Sequence, residues 1–184
     1  MDDESKVANE GQLIANARDN PSAFVRLYRR HYDAVFRYCV HRLFDRHMAE
    51  DITGEVFLKV VENLRHFKGD EKQFRSWLYR IATNAVNDHL RKTDRRGVLL
   101  KGACRQIDSQ VADCQSSAEP STERLALLRE AVLSLKPRYQ TIITLRFFEN
   151  LKLTEIADLL GSSDGTIRSQ LARALAKLRK KLKI

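Results

Sequence analysis

Residues 153–172 read LTEIADLLGSSDGTIRSQLA, and this stretch decides how the C-terminal end of the chain folds. Ile156 and Leu160, with small Ala157 between them, form the inner face of a first short helix. Gly161 ends it, because glycine tolerates the left-handed backbone that follows many helices. Ser163 then supplies a side-chain oxygen to cap a second helix that begins near Asp164. From there Ile167, Leu171, Ala174, Leu175 and Leu178 recur at helical spacing and pack inward, while Thr166, Arg168, Ser169, Gln170 and Arg173 face out. Two helices joined by such a turn make a helix-turn-helix, whose second helix enters the DNA major groove N-terminus first. Arginine there suits guanine, and a glutamine amide suits adenine. A helical hairpin with a plain solvated face would carry the same pattern, so the motif needs support from the rest of the chain.

Charge gives some of that support. The chain has 184 residues, a formal net charge of +9 and an isoelectric point near 9.7. A polyanionic partner fits this sign, and charge alone does not separate nucleic acid from an anionic membrane surface. No apolar run approaches the roughly 20 residues that a membrane span needs, which excludes membrane insertion. The opening MDDESKVANEGQ is acidic and has no apolar core, so it does not read as a signal peptide, and a cytoplasmic protein is expected. Cys39, Cys104 and Cys114 are odd in number and lack paired metal-ligand spacing, which suits reduced thiols. Cys39 falls on an apolar helical stripe and reads as a small core residue. No metal or cofactor is expected.

Glycine and proline are scarce and alternating β-branched runs are almost absent, so the fold class is all-α. Phe24, Leu27, Tyr28, Tyr32, Val35, Phe36, Cys39 and Leu43 lie at helical spacing and define one long amphipathic helix. A second opens with Glu50 and Asp51, which favour the positive end of a helix dipole, and turns Ile52, Val56, Phe57, Val60 and Leu64 inward. A loop, 66–71, leads to a third helix over about 72–92 with Phe74, Trp77, Leu78, Ile81 and Ala85 on its apolar stripe. Three such helices bury one another's stripes as a small bundle. Periodicity then fades into polar, Ser-rich sequence, read as a flexible linker, although 98–103 has some helical character. Beyond it Leu125, Leu128, Val132 and Leu135 mark a fourth helix. Pro137 opens a fifth, which buries Ile142, Ile143 and Phe147. The organisation is therefore an N-terminal tail over 1–20, a helical domain over 21–92, a linker over 93–120 and a helix-turn-helix domain over 121–184.

Two outward faces of the N-terminal half differ in chemistry. Asp51, Glu55, Lys59 and Glu62 point away from the apolar stripe of the second helix, and Arg80, Asn84, Asn87, Arg91 and Lys92 do so on the third. Either face alone reads as ordinary solvated surface. Their co-occurrence with a helix-turn-helix weakens that reading.

The run AEDITGEVFLKVVENL and the following FKGDEKQFRSWLYRIATNAVNDHLRK resemble region 2 of the extracytoplasmic-function (ECF) sigma factors of bacterial RNA polymerase. The segments LREAVLSLKPRYQTIITLRFFENLKLTEIADLLG and SDGTIRSQLARALAKLRKKL resemble their region 4. Only the N-terminal tail and the linker fall outside this likeness. It implies a subunit with no catalysis of its own that binds core RNA polymerase and directs promoter recognition, melting and transcription initiation. Asp51, Glu55 and Glu62 would then contact the polymerase, a role open to exposed acidic side chains. Lys68, Arg80, Asn84, Asn87, Arg91 and Lys92 would hold the melted downstream strand, since a flipped base needs amide groups and phosphates need cations. Trp77 is a tempting stacking wedge, but its place on the apolar stripe favours core packing. Thr166, Arg168, Ser169, Gln170, Arg173 and Lys177 would face the upstream element in duplex form. Arg179, Lys180, Lys181 and Lys183 read as phosphate contacts or solubilising charge. Family members are commonly held inactive by a masking partner, which makes an anti-sigma factor an expected third partner. The chain departs from the family pattern at Lys136, Ser162 and Gln170. Gln170 puts the base preference in question, because an amide reads a different edge from a guanidinium.

Two rivals remain at this stage. A stand-alone helix-turn-helix repressor or activator would bind a palindromic operator as a dimer. An enzyme is the other, and no carboxylate, His/Cys or Ser/His grouping has motif spacing: His31, His41, His47, His66 and His89 are scattered.

Overall fold

A computed structural model describes residues 3–100 and 122–183. Most of the segment read as a linker, including Cys104 and Cys114, lies outside the described residues, as does the side chain of Leu125. Among the described residues there are eight α-helices and no strand: α1 Asp3–Asn16, α2 Pro21–Leu43, α3 Arg46–Asn63, α4 Glu71–Leu100, α5 Thr122–Leu133, α6 Pro137–Ile143, α7 Leu153–Leu160 and α8 Asp164–Leu182. The all-α reading holds. Two compact units divide the chain, the first built on α1 to α3, on α4 as far as Val86 and on Asp158–Gly161, the second on the rest of α4 and on α5 to α8 apart from those four residues.

The first unit begins earlier than the sequence suggested. Residues read as a tail form α1, which packs on α2 and buries Leu13 and Ile14, with Ala17 buried just beyond its end. Its apolar positions cluster in one turn near its end, too few to show a helical period. Asn20 then caps α2, its side chain accepting from the Ser22 and Ala23 amides at 2.9 and 3.3 Å, with Pro21 in the first turn. Leu27, Val35 and Cys39 are buried on the inner stripe of α2, as the spacing predicts, and Tyr38 is buried beside them. Phe44 closes that helix in the left-handed region at φ 53°, and Asp45 caps α3 through the Met48 amide. The cap places the start of α3 four residues ahead of Glu50. Ile52, Val56, Phe57 and Val60 turn inward along it, followed by Leu64 in a short 3-10 turn, Leu64–His66. On α4, Phe74, Leu78, Ala82, Ala85 and Val86 are buried against these helices. The helix runs on to Leu100, beyond the point where its apolar stripe stops being needed.

In the second unit the core is Ala131, Leu135, Ile143, Ala174 and Leu178, with Val132, Tyr139, Leu171 and Leu182 packed against it. Gln140 ties α5 to α6 by donating from Nε2 to the Leu133 and Leu135 carbonyls at 3.1 and 2.9 Å. Helix α6 widens into a π turn, Thr144–Phe148, in which the Glu149 amide reaches back to the Thr144 carbonyl. This turn rotates the end of the helix. Leu145 is buried by it, but Phe147 and Phe148 are 53% and 48% exposed, so the expected burial of Phe147 is not met. Leu128, expected on the inner stripe of α5, is also exposed, although it shares the face of Ala131.

Candidate nucleic-acid interface

The turn between α7 and α8 forms as its residues dictate. Gly161 sits at φ 61°, a conformation that L side chains rarely adopt, and Ser163 Oγ accepts the Thr166 amide at 3.2 Å. Ile156, Ala157 and Leu159 are buried on α7, and Leu160 is only half-buried. Helix α8 turns Ile167, Ala174 and Leu178 inward, leaving Thr166, Arg168, Ser169, Arg173 and Lys177 exposed. Gln170 is a correction. It is 7% exposed and lies with the buried residues of α8, because at roughly 100° per residue position 170 falls only about 60° from the Ile167–Ala174 stripe. Its amide is not presented beside Ser169 and Arg173.

The outward groups are partly pre-engaged. Arg168 lies 2.7 Å from Asp164 one turn back, and the Thr166 hydroxyl is 2.8 Å from Ser163 Oγ. Lys177 extends over the Tyr139 ring on α6, its Nζ 5.5 Å from the centroid. Arg173 and Ser169 lie between these anchored neighbours. The C-terminal half of α8 adds Arg179, Lys180 and Lys181, all exposed, near the negative end of the helix dipole.

On α4, Arg80, Asn84, Asn87 and Arg91 are spaced i, i+4, i+7 and i+11 and fall on one stripe opposite the buried one. Arg91 is held by Asp88 at 3.0 Å. Lys92 is exposed but turned about a quarter of a circle from this stripe, and Lys68 is exposed in the loop ahead of α4. That loop is tightly built. The Asp70 and Gln73 side chains cap each other's amides at 2.8 and 2.9 Å, and a Cβ at Gly69 would lie 2.7 Å from both Gln73 Oε1 and the Phe67 ring. Phe67 packs against Trp77 with ring centroids 5.0 Å apart, and Phe74 completes the cluster. Trp77 is only half-buried, so part of its surface stays open beside its packing contacts.

Asp51, Glu55 and Glu62 are exposed on one stripe of α3. Sequence reasoning missed what lies among them. Leu58 sits on the same stripe at 65% exposure and Val61 beside it at 51%, the most open large apolar side chains of the first unit. The available signal was Leu58 standing off the inner period of Ile52, Val56 and Val60.

The described residues hold no cluster of three or more His, Cys, Asp or Glu fit for a metal ion, and no helix among them is long and apolar enough to cross a membrane. The arrangement is that of a two-unit helical protein carrying a helix-turn-helix and separate basic and acidic-apolar faces. Family models agree with it in order and position: Sigma-70 region 2 matches residues 27–96 and Sigma-70 region 4 matches residues 125–178. The chain is 34% identical to the RNA polymerase sigma factor SigV of Bacillus subtilis over 71% of its own length and 74% of SigV. It is 32% identical to the ECF RNA polymerase sigma factor BldN of Streptomyces coelicolor over 95% of its own length and 66% of BldN. A solved structure of the sigma factor RpoE of Bartonella quintana, in complex with the anti-sigma factor NepR, superposes with a TM-score of 0.68 at 21% identity, covering 88% of this chain and 97% of that one. The chain belongs to the ECF sigma factors of the sigma-70 family.

Proposed function

We propose that this chain binds core RNA polymerase and directs it to promoters whose two elements are read by different units. The single observation that carries this reading is that α8 and α4 each present an outward stripe of the chemistry its own task needs. On α8, Arg173 and Ser169, flanked by Thr166, Arg168 and Lys177, face a duplex. On α4, Arg80, Asn84, Asn87 and Arg91, with Lys68 in the preceding loop, face a melted strand. Lys92 serves as a phosphate contact near the end of that stripe. The α3 stripe of Asp51, Glu55 and Glu62, with Leu58 and Val61 among them, is the polymerase-docking surface, where apolar area gives affinity and the acids give register.

Gln170 has no direct base contact in this reading; it supports α8 from its inner edge. The protein has no catalysis of its own and works in the cytoplasm. A linker beyond α4 joins a region 2 domain that includes α1 to a region 4 domain over 121–184, so docking on polymerase sets their separation and raises the effective concentration of each for its element. An anti-sigma factor that masks these faces is the proposed regulator. Run-off transcription from a fragmented source genome, using core polymerase with and without the chain, tests the proposal. New start sites sharing two spaced elements are expected. No new starts, together with dimeric binding to a palindromic operator, would establish the repressor reading.

A further inference from the structure

The outer face of α2 has no part in the function proposed above, and its chemistry is one-sided. Arg26, Arg29, Asp33 and Arg37 are spaced i, i+3, i+7 and i+11, and all four are exposed. At roughly 100° per residue this stripe lies on the side of α2 away from the buried Leu27, Val35 and Tyr38. Other arginines of the first unit are engaged. Arg30 meets Glu10 at 2.6 Å, Arg46 meets Glu50 at 3.5 Å, Arg65 meets Asp19 at 3.6 Å, and Arg75 lies over the Tyr79 ring. Asp33 stands one turn from both Arg29 and Arg37, the spacing at which a helix pairs opposite charges. Even so, Arg26, Arg29 and Arg37 form no ion pair among the described residues.

Such a stripe suits a phosphate backbone better than a protein surface. A protein interface needs an apolar core that excludes water, whereas a nucleic-acid interface is polar and strongly positive. The α3 stripe, with Leu58 and Val61 among its acids, has the first composition, and the α2 stripe has the second. Val25, 45% exposed, borders it one turn before Arg29, a single apolar side chain rather than a patch. Each guanidinium fork can grip a phosphate through two parallel N–H groups, and Arg26 to Arg37 covers about 16 Å of helix axis. The stripe also starts beside the loop that holds Lys68. Arg65, two residues before Phe67, donates from Nε to the Arg18 carbonyl at 3.2 Å, so the turn ahead of that loop sits against the start of α2. From further along α2, His31 packs on Phe74 with ring centroids 5.3 Å apart, and Phe74 packs on Phe67 at 5.6 Å. A strand that leaves the loop therefore meets α2.

We infer that Arg26, Arg29 and Arg37 form a second phosphate track, along which the melted strand continues once its element is held at α4 and the loop 67–70. This deepens the strand-capture reading given above and rests on it. The α4 stripe, with its asparagine amides, holds bases; the α2 stripe, with arginines alone to offer, holds backbone and adds affinity without sequence preference.

The test uses holoenzyme assembled from core polymerase and full-length chain, with fluorescent single-stranded DNA carrying the downstream element found by run-off transcription. One oligonucleotide holds the element alone, and two others extend it on the 5′ or the 3′ side by about five nucleotides, enough to span the stripe at about 3.4 Å each. Extension on one side is expected to tighten binding by the parent about tenfold at low salt. Arg26→Gln, Arg29→Gln and Arg37→Gln combined should lose that gain while holding the short oligonucleotide and core polymerase within about twofold of the parent. With three phosphate contacts at about 0.7 each, the salt slope of the extended complex should be shallower by about 2 in this variant. Lysine at the same three positions keeps the charge and should keep the slope. No gain on either extension overturns the inference, as does an equal gain in the parent and the glutamine variant, or loss of the slope in the lysine variant as well. A glutamine variant whose polymerase affinity falls in step with its gain also overturns it and makes the stripe a protein contact. If the parent holoenzyme holds the short oligonucleotide no better than core polymerase alone, the strand-capture reading itself falls and the inference falls with it.

Discussion

Tyr38 is fully buried between α2 and α4, and its hydroxyl lies 2.8 Å from Thr83 Oγ1. Burial raises its pKa, while Arg42 opposes the rise and also hydrogen-bonds the hydroxyl. The phenol therefore stays neutral and satisfied at the centre of the first unit. Thr83→Val removes one of its two partners and is expected to cost about 1 kcal/mol in denaturant unfolding, with no change in the slope. His31 responds to pH. Burial, and then the charge of Arg30, lower its pKa from 6.5 to about 4, so the folded unit holds it neutral. The unfolded chain binds the proton first as pH falls below 6.5, and stability should drop by on the order of 3 kcal/mol by about pH 4. Glu71 acts in the opposite sense over part of that range, since its raised pKa favours the fold in acid. Urea titrations of Glu71→Gln from about pH 7 to about pH 4 isolate the His31 contribution. An absence of acid destabilisation in that variant would contradict a neutral buried His31.

At the scale of single elements, caps and loops decide where function is presented. Ser163 closes the N-terminus of α8, the end proposed to meet DNA, through the Thr166 amide and hydroxyl. Ser163→Ala is expected to cost about 1 kcal/mol of stability in the second unit and to weaken upstream-element binding, as read by thermal unfolding and duplex gel shift. Gly69→Ala acts on the other interface. The new Cβ would displace Gln73 Oε1 and the Phe67 ring, breaking the reciprocal cap of α4. Stability should fall by about 1 kcal/mol and capture of single-stranded promoter DNA should fall more than duplex binding. Helix existence and facing were legible along α2, α3 and α8, where apolar residues recur over several turns. They were not legible in α1, with its single apolar turn, nor in Leu128 and Phe147. Those two obey the helical period, but a π turn redirects Phe147 and Leu128 stays open on its helix.

Across the whole molecule, the proposed partners divide the surface by chemistry. Leu58→Glu should leave the fold intact, because 65% of that side chain is already open, and should weaken polymerase binding by at least about tenfold in a competition assay against another sigma factor. Arg173→Ala should weaken upstream duplex binding and reduce its salt dependence by about one unit of slope without changing polymerase affinity. A shared loss of both functions in either variant would show that the two faces are not separable.

The sequence by itself determined the all-α class, the helix-turn-helix and its glycine turn, the Asp51–Glu55–Glu62 and Arg80–Asn84–Asn87–Arg91 stripes, and the sigma-factor kinship. These are periodic or locally encoded, so spacing along one helix is enough to find them. Tertiary structure alone decided that residues 3–16 form a docked helix, that Gln170 belongs to the buried edge of α8, and that Leu58 and Val61 stay open among acids. It also brought Glu10 to Arg30 and His31. The reason is physical: burial and contact between residues far apart in the chain depend on which neighbouring helix covers a given face, and periodicity within one helix carries no information about that neighbour.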